Sequence, residues 1–258
     1  MNLKTIIIGL AVIFALALIY LGFANKNAPT PGDQAGTNLT SPAGPTVIAK
    51  QDNEDAGVYE IKVQYPEFSG VSNAAILNAN IRDNVMNQVT QFKSDEAANA
   101  IKELSAKSSF QIEYSVGMLT ADIASVKFTT FYYIRGMAHP ATQIWTVNYD
   151  FMDGKPIDIE DLFDPGADYL HALQAAAKPA ITQKLQAEDA YIPDFVDQGT
   201  APKAVNYSSF TLRKDKLTII FNQYQVAPGA AGDSSIEIPF SAFASVNGRS
   251  QALRLVQK

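Results

Sequence analysis

A chain of 258 residues with 47% hydrophobic and 18% charged content is long enough for one or two cored domains and too apolar to be disordered throughout. The absence of cysteine excludes a disulfide framework, thiolate-bound zinc, an iron–sulfur cluster and a cysteine nucleophile, and two histidines, His139 and His171, leave little for a histidine-rich metal site. With 20 Lys and Arg against 26 Asp and Glu, the net charge of −6 repels a phosphate backbone, so nucleic acid is not an expected partner; solubility and attraction of a cationic partner both fit the sign.

Residues 6–23, IIIGLAVIFALALIYLGF, form an uncharged apolar run. As a helix the run is roughly 27 Å long, against a bilayer core of about 30 Å. It exceeds the usual apolar stretch of a cleaved signal peptide, so a retained transmembrane signal anchor is expected, with Gly22-Phe23-Ala24 as the alternative cleavage site. Lys4 ahead of the run points residues 1–5 into the cytoplasm and the remainder of the chain outside, a single-pass plasma-membrane arrangement. Residues 24–45 hold Pro29, Pro31, Pro42, Pro45 and three glycines around one large apolar residue, Leu39. The stretch 24–56 is expected to be a disordered linker that holds the folded part off the membrane.

The folded part is expected as an α+β subdomain over 57–110 and an α+β domain over 111–258. Residues 59–65 alternate and read as a strand ended by Pro66. Ser72 is the expected helix cap, followed by one apolar face of Leu77, Ile81, Val85, Val89 and Phe92. A turn signal at Ser94 leads to Ile101 and Leu104, expected as a second helical piece. From Phe110 the period becomes two, with Val126, Phe128, Thr130 and Tyr132 on one side of a strand and Trp145, Val147, Tyr149 and Phe151 on one side of the next. Consecutive strands of this kind form antiparallel sheet. Asp153-Gly154 is a turn, Leu170, Leu173, Ala177, Ile181 and Leu185 mark a helix face, residues 210–221 read as a hairpin, and Ile236 and Ile238 as a last strand. The fold class is α+β: antiparallel sheet with packed helices, preceded by one transmembrane helix.

The acidic run Asp150, Asp153, Asp158, Glu160, Asp161 and Asp164 lacks the spacing of a calcium loop. It serves either as turn and helix-start chemistry, with Asp158 and Asp161 in a capping box, or as the carboxylates of a hydrolase. His139 sits in a loop between strands, where hydrogen bonding is the simplest role. Recognisable nucleophile, metalloprotease, phosphate-loop and dinucleotide motifs are absent from the sequence, and no cofactor is expected. Tyr132, Tyr133, Trp145, Tyr207 and Tyr224 could stack on a glycan or fill a sheet face.

Three groups of residues are distinctive together: Gly136-Met137-Ala138-His139-Pro140; Asn148-Tyr149-Asp150 with Gly154-Lys155 and Asp161-Leu162-Phe163; and the run from Phe221 to Gly232, FNQYQVAPGAAG, with Ile238-Pro239. The combination resembles the RsiV-type extracytoplasmic domain family, and the strand–helix segment ahead of it is similar to the companion domain that precedes PdaC-type peptidoglycan deacetylases. The resemblance covers residues 58–240. It implies a membrane-anchored domain that binds or senses an envelope component, lysozyme or cell-wall peptidoglycan. The residues it marks for binding or structure are Gly136, His139, Pro140, Tyr149, Asp150, Tyr224, Pro228, Gly232 and Pro239. Residues 1–5 are too short an inner segment to hold a sigma factor, and the deacetylase motifs are absent, so no catalytic or metal residue is assigned. The rival expectations are a carboxylate-dependent envelope hydrolase and a structural envelope protein. Gly229 departs from the pattern, which has an aromatic residue after the proline. Residues 225–232 carry no acid or nucleophile, and Gly229 and Gly232 permit positive φ, so this loop is expected to set geometry and line a surface.

Overall fold

The computed structural model describes residues 44–246 and 250–257. The expected anchor at 6–23 and most of the expected linker lie outside them. Among the described residues no helix is long and apolar enough to cross a membrane.

Six strands form the first sheet in sequence order: β1 (Thr46–Asp55), β2 (Tyr59–Ser69), β3 (Ser108–Leu119), β4 (Ile123–Tyr133), β5 (Ala141–Asp150) and the two-residue β6 (Lys155–Pro156). Helix α1 (Ala74–Asn99) connects β2 to β3. A helical crossover returns the chain to the same end of the sheet, so β2 and β3 pair in parallel while every other neighbouring pair is antiparallel. The purely antiparallel sheet expected from the sequence is corrected by that one pair. The linker is corrected too: β1 lies within 24–56 and pairs with β2 along its whole length. Most of its side chains are exposed, so it carries no apolar stripe to announce it.

Helix α1 buries Leu77, Ile81, Val85 and Phe92 against Val63, Ile112, Val126 and Phe128. It starts at Asn73 (φ 54°), not at a Ser72 cap, and runs through Ser94 without a break. Ile101 and Leu104 are not helical; both are exposed, and the Ile101 N–H donates to the Arg135 carbonyl at 2.9 Å. A buried ion pair ties the last turns of α1 to the residues just past β4. Arg135 Nη2 meets Glu96 Oε1 at 2.5 Å, the Ser108 hydroxyl donates to the other Glu96 oxygen, and the Arg135 N–H donates to Ser108 Oγ at 2.9 Å.

The second sheet is the antiparallel β7 (Phe210–Leu212), β8 (Lys216–Phe221) and β9 (Ser234–Pro239). Helix α2 (Tyr169–Ala187) buries Leu173, Ala177, Ile181 and Leu185 in a core with Leu217, Ile219, Phe221 and Ile236. The short helices α3 (Pro193–Gly199) and α4 (Gln251–Val256) close its sides. The antiparallel sheet expected in the fold class is therefore two sheets, with Phe128, Tyr132 and Trp145 in the first and Ile219 in the second. The subdomain boundary expected at 110–111 falls inside β3, which pairs with β2 and β4; the first core runs on through Phe151.

Candidate functional site

The connection 222–233 between β8 and β9 contains three amide side chains that turn inward or along the loop and one aromatic that does not. Asn222 Oδ1 accepts the Ile144 N–H at 2.7 Å, so the loop is fastened to β5. The Asn222 N–H donates to Gln225 Oε1 at 3.1 Å, and the Gln225 N–H returns to the Asn222 carbonyl at 2.9 Å. Gln225 Nε2 also donates to the carbonyls of Gly199 (3.2 Å) and Asn206 (2.9 Å). Gln223 Nε2 donates to the Gly229 carbonyl at 2.6 Å. These bonds anchor the loop to β5, to the end of α3 and to the 3₁₀ turn Ala204–Tyr207.

Between them stands Tyr224 at φ 70° with 55% of its surface exposed. A non-glycine residue rarely adopts that backbone, and a bulky one adopts it only where its surroundings over-determine it. The reason Gly229 replaces the expected aromatic follows: a Cβ there would overlap Tyr224 Cζ, so the ring rests on the bare glycine backbone. Gly199 plays a similar part below, where a Cβ would overlap the Gln225 carbonyl oxygen. Val205, in the 3₁₀ turn whose Asn206 carbonyl Gln225 holds, is 73% exposed. Pro228 is half-buried and precedes the 3₁₀ turn Gly229–Ala231. Gly232 has φ 73° and ψ −155°, with nothing within 4 Å of where a Cβ would stand, so backbone conformation alone demands glycine.

The remaining marked residues are placed elsewhere. Gly136 (φ 101°) lies under the Ile101 side chain, which would stand 2.6 Å from a Cβ at that position. His139 is exposed with Nδ1 3.0 Å from the carbonyl oxygen of Pro140, itself exposed. Tyr149 is buried beside Phe151; burial, then the neighbouring Asp150 charge, pushes its phenol up, and its hydroxyl has no hydrogen-bond partner among the described residues. Asp150 is buried as a turn cap whose Oδ1 accepts the N–H groups of Met152 (2.8 Å) and Asp153 (3.0 Å). Pro239 is exposed at the end of β9. The structure thus brings Tyr224, Pro228 and Gly232 into one loop and leaves Gly136, His139 and Pro140 on the β4–β5 connection.

The acidic run is engaged in local structure. Besides Asp150, Asp153 pairs with Lys155 at 3.0 Å and Asp161 Oδ2 accepts the Asp158 N–H at 2.8 Å at the start of the 3₁₀ turn Ile159–Leu162. Burial, then the Asp161 and Glu160 charges, pushes the Asp158 carboxyl up. Among the described residues no three His, Asp or Glu side chains gather as metal ligands. The amides that build the loop, Asn222, Gln223 and Gln225, were legible only as motif letters; the inward bonds of Gln225 depend on Gly199 and Asn206, which stand more than fifteen residues away in sequence.

Residues 52–142 match the family model described as deacetylase PdaC, and residues 160–241 match that of a protein family of unknown function, DUF3298. The peptidoglycan-N-acetylmuramic acid deacetylase PdaC of Bacillus subtilis (strain 168) is 28% identical over 186 residues, 71% of this chain. The chain spans 38% of that protein's length. A DUF3298 family structure from Bacteroides fragilis superposes with a TM-score of 0.61 at 17% identity, covering 83% of this chain and 97% of that one. Another from Pseudomonas aeruginosa PAO1 gives 0.59 at 14%, covering 83% and 98%. At these identities the likeness to the solved structures is one of fold. In sequence the folded part is similar to a PdaC-type protein and to DUF3298; in architecture it is the α+β fold of the DUF3298 structures.

Proposed function

We propose that this chain is an extracytoplasmic binding domain of the bacterial envelope, tethered by a single-pass N-terminal anchor, and that it holds peptidoglycan through the loop bearing Tyr224. The observation that carries the reading is the display of Tyr224: an exposed ring on left-handed backbone, fixed by inward-turned amides and a glycine floor. Backbone strain of this kind clusters at functional sites, and a ring left more than half exposed offers a face for stacking. The similarity to a peptidoglycan deacetylase supports the choice of ligand. Asp150 and Asp161 are held in turn and 3₁₀-start hydrogen bonds and Asp153 in an ion pair with Lys155, which favours binding over a hydrolase. The RsiV-type assignment belongs to this proposal and supplies lysozyme, a cationic protein, as the rival ligand for a chain of net charge −6.

Sedimentation of the full chain with insoluble peptidoglycan tests it. The parent should co-sediment, and Tyr224→Ala should raise the apparent Kd about tenfold, equivalent to ~1.4 kcal/mol, without moving Tm. Undiminished sedimentation of Tyr224→Ala overturns the loop assignment; capture of lysozyme in place of peptidoglycan overturns the ligand.

A further inference from the structure

Strand β1 is one edge of the six-stranded sheet, and its outer side is open along all ten residues. Its backbone pairs with β2 from Thr46 to Asp55, and among the described residues no loop or side chain bonds to the backbone on the other side. Other edges are treated differently. Asn222 takes the Ile144 N–H on the outer side of β5, and Thr146 and Ser125 accept N–H groups of β7. An exposed edge is normally blunted by shortness, a proline, a bulge or a projecting lysine. β1 is long, holds no proline and keeps an unbroken register with β2. Its one lysine, Lys50, is turned back onto Glu67 of β2 at 3.2 Å. All of its residues but Val47 and Lys50 are exposed.

We propose that β1 is a self-association edge: two copies of this chain pair β1 to β1, antiparallel, about a two-fold axis at Gln51, and so join their first sheets into one. The charges along the strand select that partner and that register. Glu54 is matched by Lys93 at 2.6 Å and Asp55 by Lys107 at 2.8 Å, whereas Asp52 has no ion pair or hydrogen bond among the described residues. Side chains alternate along a strand, so Lys50 and Asp52 share a face. A two-fold axis normal to the sheet keeps each face on its own side, so it passes through a residue. Centred on Lys50 it sets lysine against lysine, and centred on Asp52 acid against acid, both destabilising. Centred on Gln51 it sets Lys50 opposite Asp52 of the second copy, twice over, and keeps residues 47–55 fully paired. Shifts farther along the strand shorten the overlap. The pairing is independent of what the Tyr224 loop holds, since that loop connects strands of the second sheet.

The chain has no cysteine, so one introduced thiol reports one position. Single-cysteine variants of the full chain in detergent micelles are exposed to copper phenanthroline in air, and covalent dimer is read on a non-reducing gel. Gln51→Cys should cross-link, because directly opposed Cα atoms of an antiparallel pair stand about 4.5–5.5 Å apart, within the span of a disulfide. Thr46→Cys should not, since its two copies would stand roughly 34 Å apart at ~3.4 Å per residue. Ala49→Cys and Asn53→Cys should cross-link to each other when mixed and not to themselves. Lys50→Asp in the Gln51→Cys background should cut the dimer yield about tenfold, and adding Asp52→Lys should restore it. That rescue separates strand pairing from loss of the exposed Glu67 contact, which the swap does not return. Cross-linking at Thr46 as strong as at Gln51, or a yield that Lys50→Asp leaves unchanged, overturns the register. No dimer from any of these variants at about 0.1 mM chain overturns self-association and leaves the edge to another extended segment.

Discussion

At Gly229 the missing side chain is what lets Tyr224 lie on the backbone, so Gly229→Ala should act on the ring before it acts on the fold. The added Cβ would overlap the ring, and the ring is the exposed, movable partner. The expected outcome is a loss of ligand capture with a stability cost below about 1 kcal/mol by denaturant titration. Gly232→Val should behave in the opposite way. Space is free there, but φ 73° with ψ −155° is a glycine conformation, and a β-branched residue should cost about 1–3 kcal/mol. The two glycines look alike in the sequence. That Gly232 permits a turn was legible from the motif; that Gly229 is a floor for a ring five residues earlier was not, because it depends on a φ angle at Tyr224 that no residue type announces. Tyr207 gives a third expectation at this scale. Its hydroxyl donates to the Thr200 carbonyl at 2.6 Å in the core, and burial pushes its phenol far up. Tyr207→Phe should cost about 1–2 kcal/mol through the carbonyl left unpaired, read as a lower Tm.

Helix α1 was legible because its buried residues fall at three- and four-residue spacing, and that period survives any tertiary setting. Its length was not, since Ser94 is a turn former that a well-packed helix overrides: Phe92 and Glu96 on either side are both buried. Glu96 would have been assigned to solvent on residue type, whereas it is held by Arg135 and Ser108. Breaking that pair should be expensive and replacing it should not. Arg135→Met alone leaves a buried carboxylate and should cost about 3–5 kcal/mol, while Glu96→Leu with Arg135→Met should recover most of the loss. β1 was missed for the converse reason, as its strand character comes from pairing with β2 and not from a stripe of its own. The 3₁₀ turn Ile159–Leu162 carries a pH expectation. Asp158 holds its proton to higher pH in the folded chain than in the unfolded one. Its charge therefore opposes folding above the folded pKa, and the penalty fades as pH falls through that range. Asp158→Asn, which keeps a competent cap, should raise stability at neutral pH by less than about 0.5 kcal/mol and have no effect once the carboxyl is protonated.

Across the whole molecule the two sheets are joined by side chains standing in for a strand. The outer edge of β7 finds no backbone neighbour among the described strands. Its Phe210 N–H donates to Thr146 Oγ1 at 3.2 Å, the Phe210 carbonyl accepts Asn148 Nδ2 at 2.9 Å, and the Leu212 N–H donates to Ser125 Oγ at 2.8 Å. Ser125 Oγ in turn donates to Asn148 Oδ1 at 2.7 Å, and both residues are buried. Asn148 thus reaches the second sheet through Nδ2, while its Oδ1 orients the Ser125 hydroxyl that accepts the Leu212 N–H. Asn148→Leu would keep the volume and strand both the Phe210 carbonyl and the Ser125 proton, at about 1–3 kcal/mol for each buried group left unpaired. The loss falls on the seam and leaves each core intact, so cooperativity should fall along with stability. In calorimetry the parent should unfold in one transition whose van't Hoff and calorimetric enthalpies agree, and Asn148→Leu should show a ratio well below one or two resolved transitions. Should the variant instead melt as a single two-state unit at lower temperature, the coupling resides in the apolar contacts of Ile123 and Met118, which reach from the first sheet into the second core.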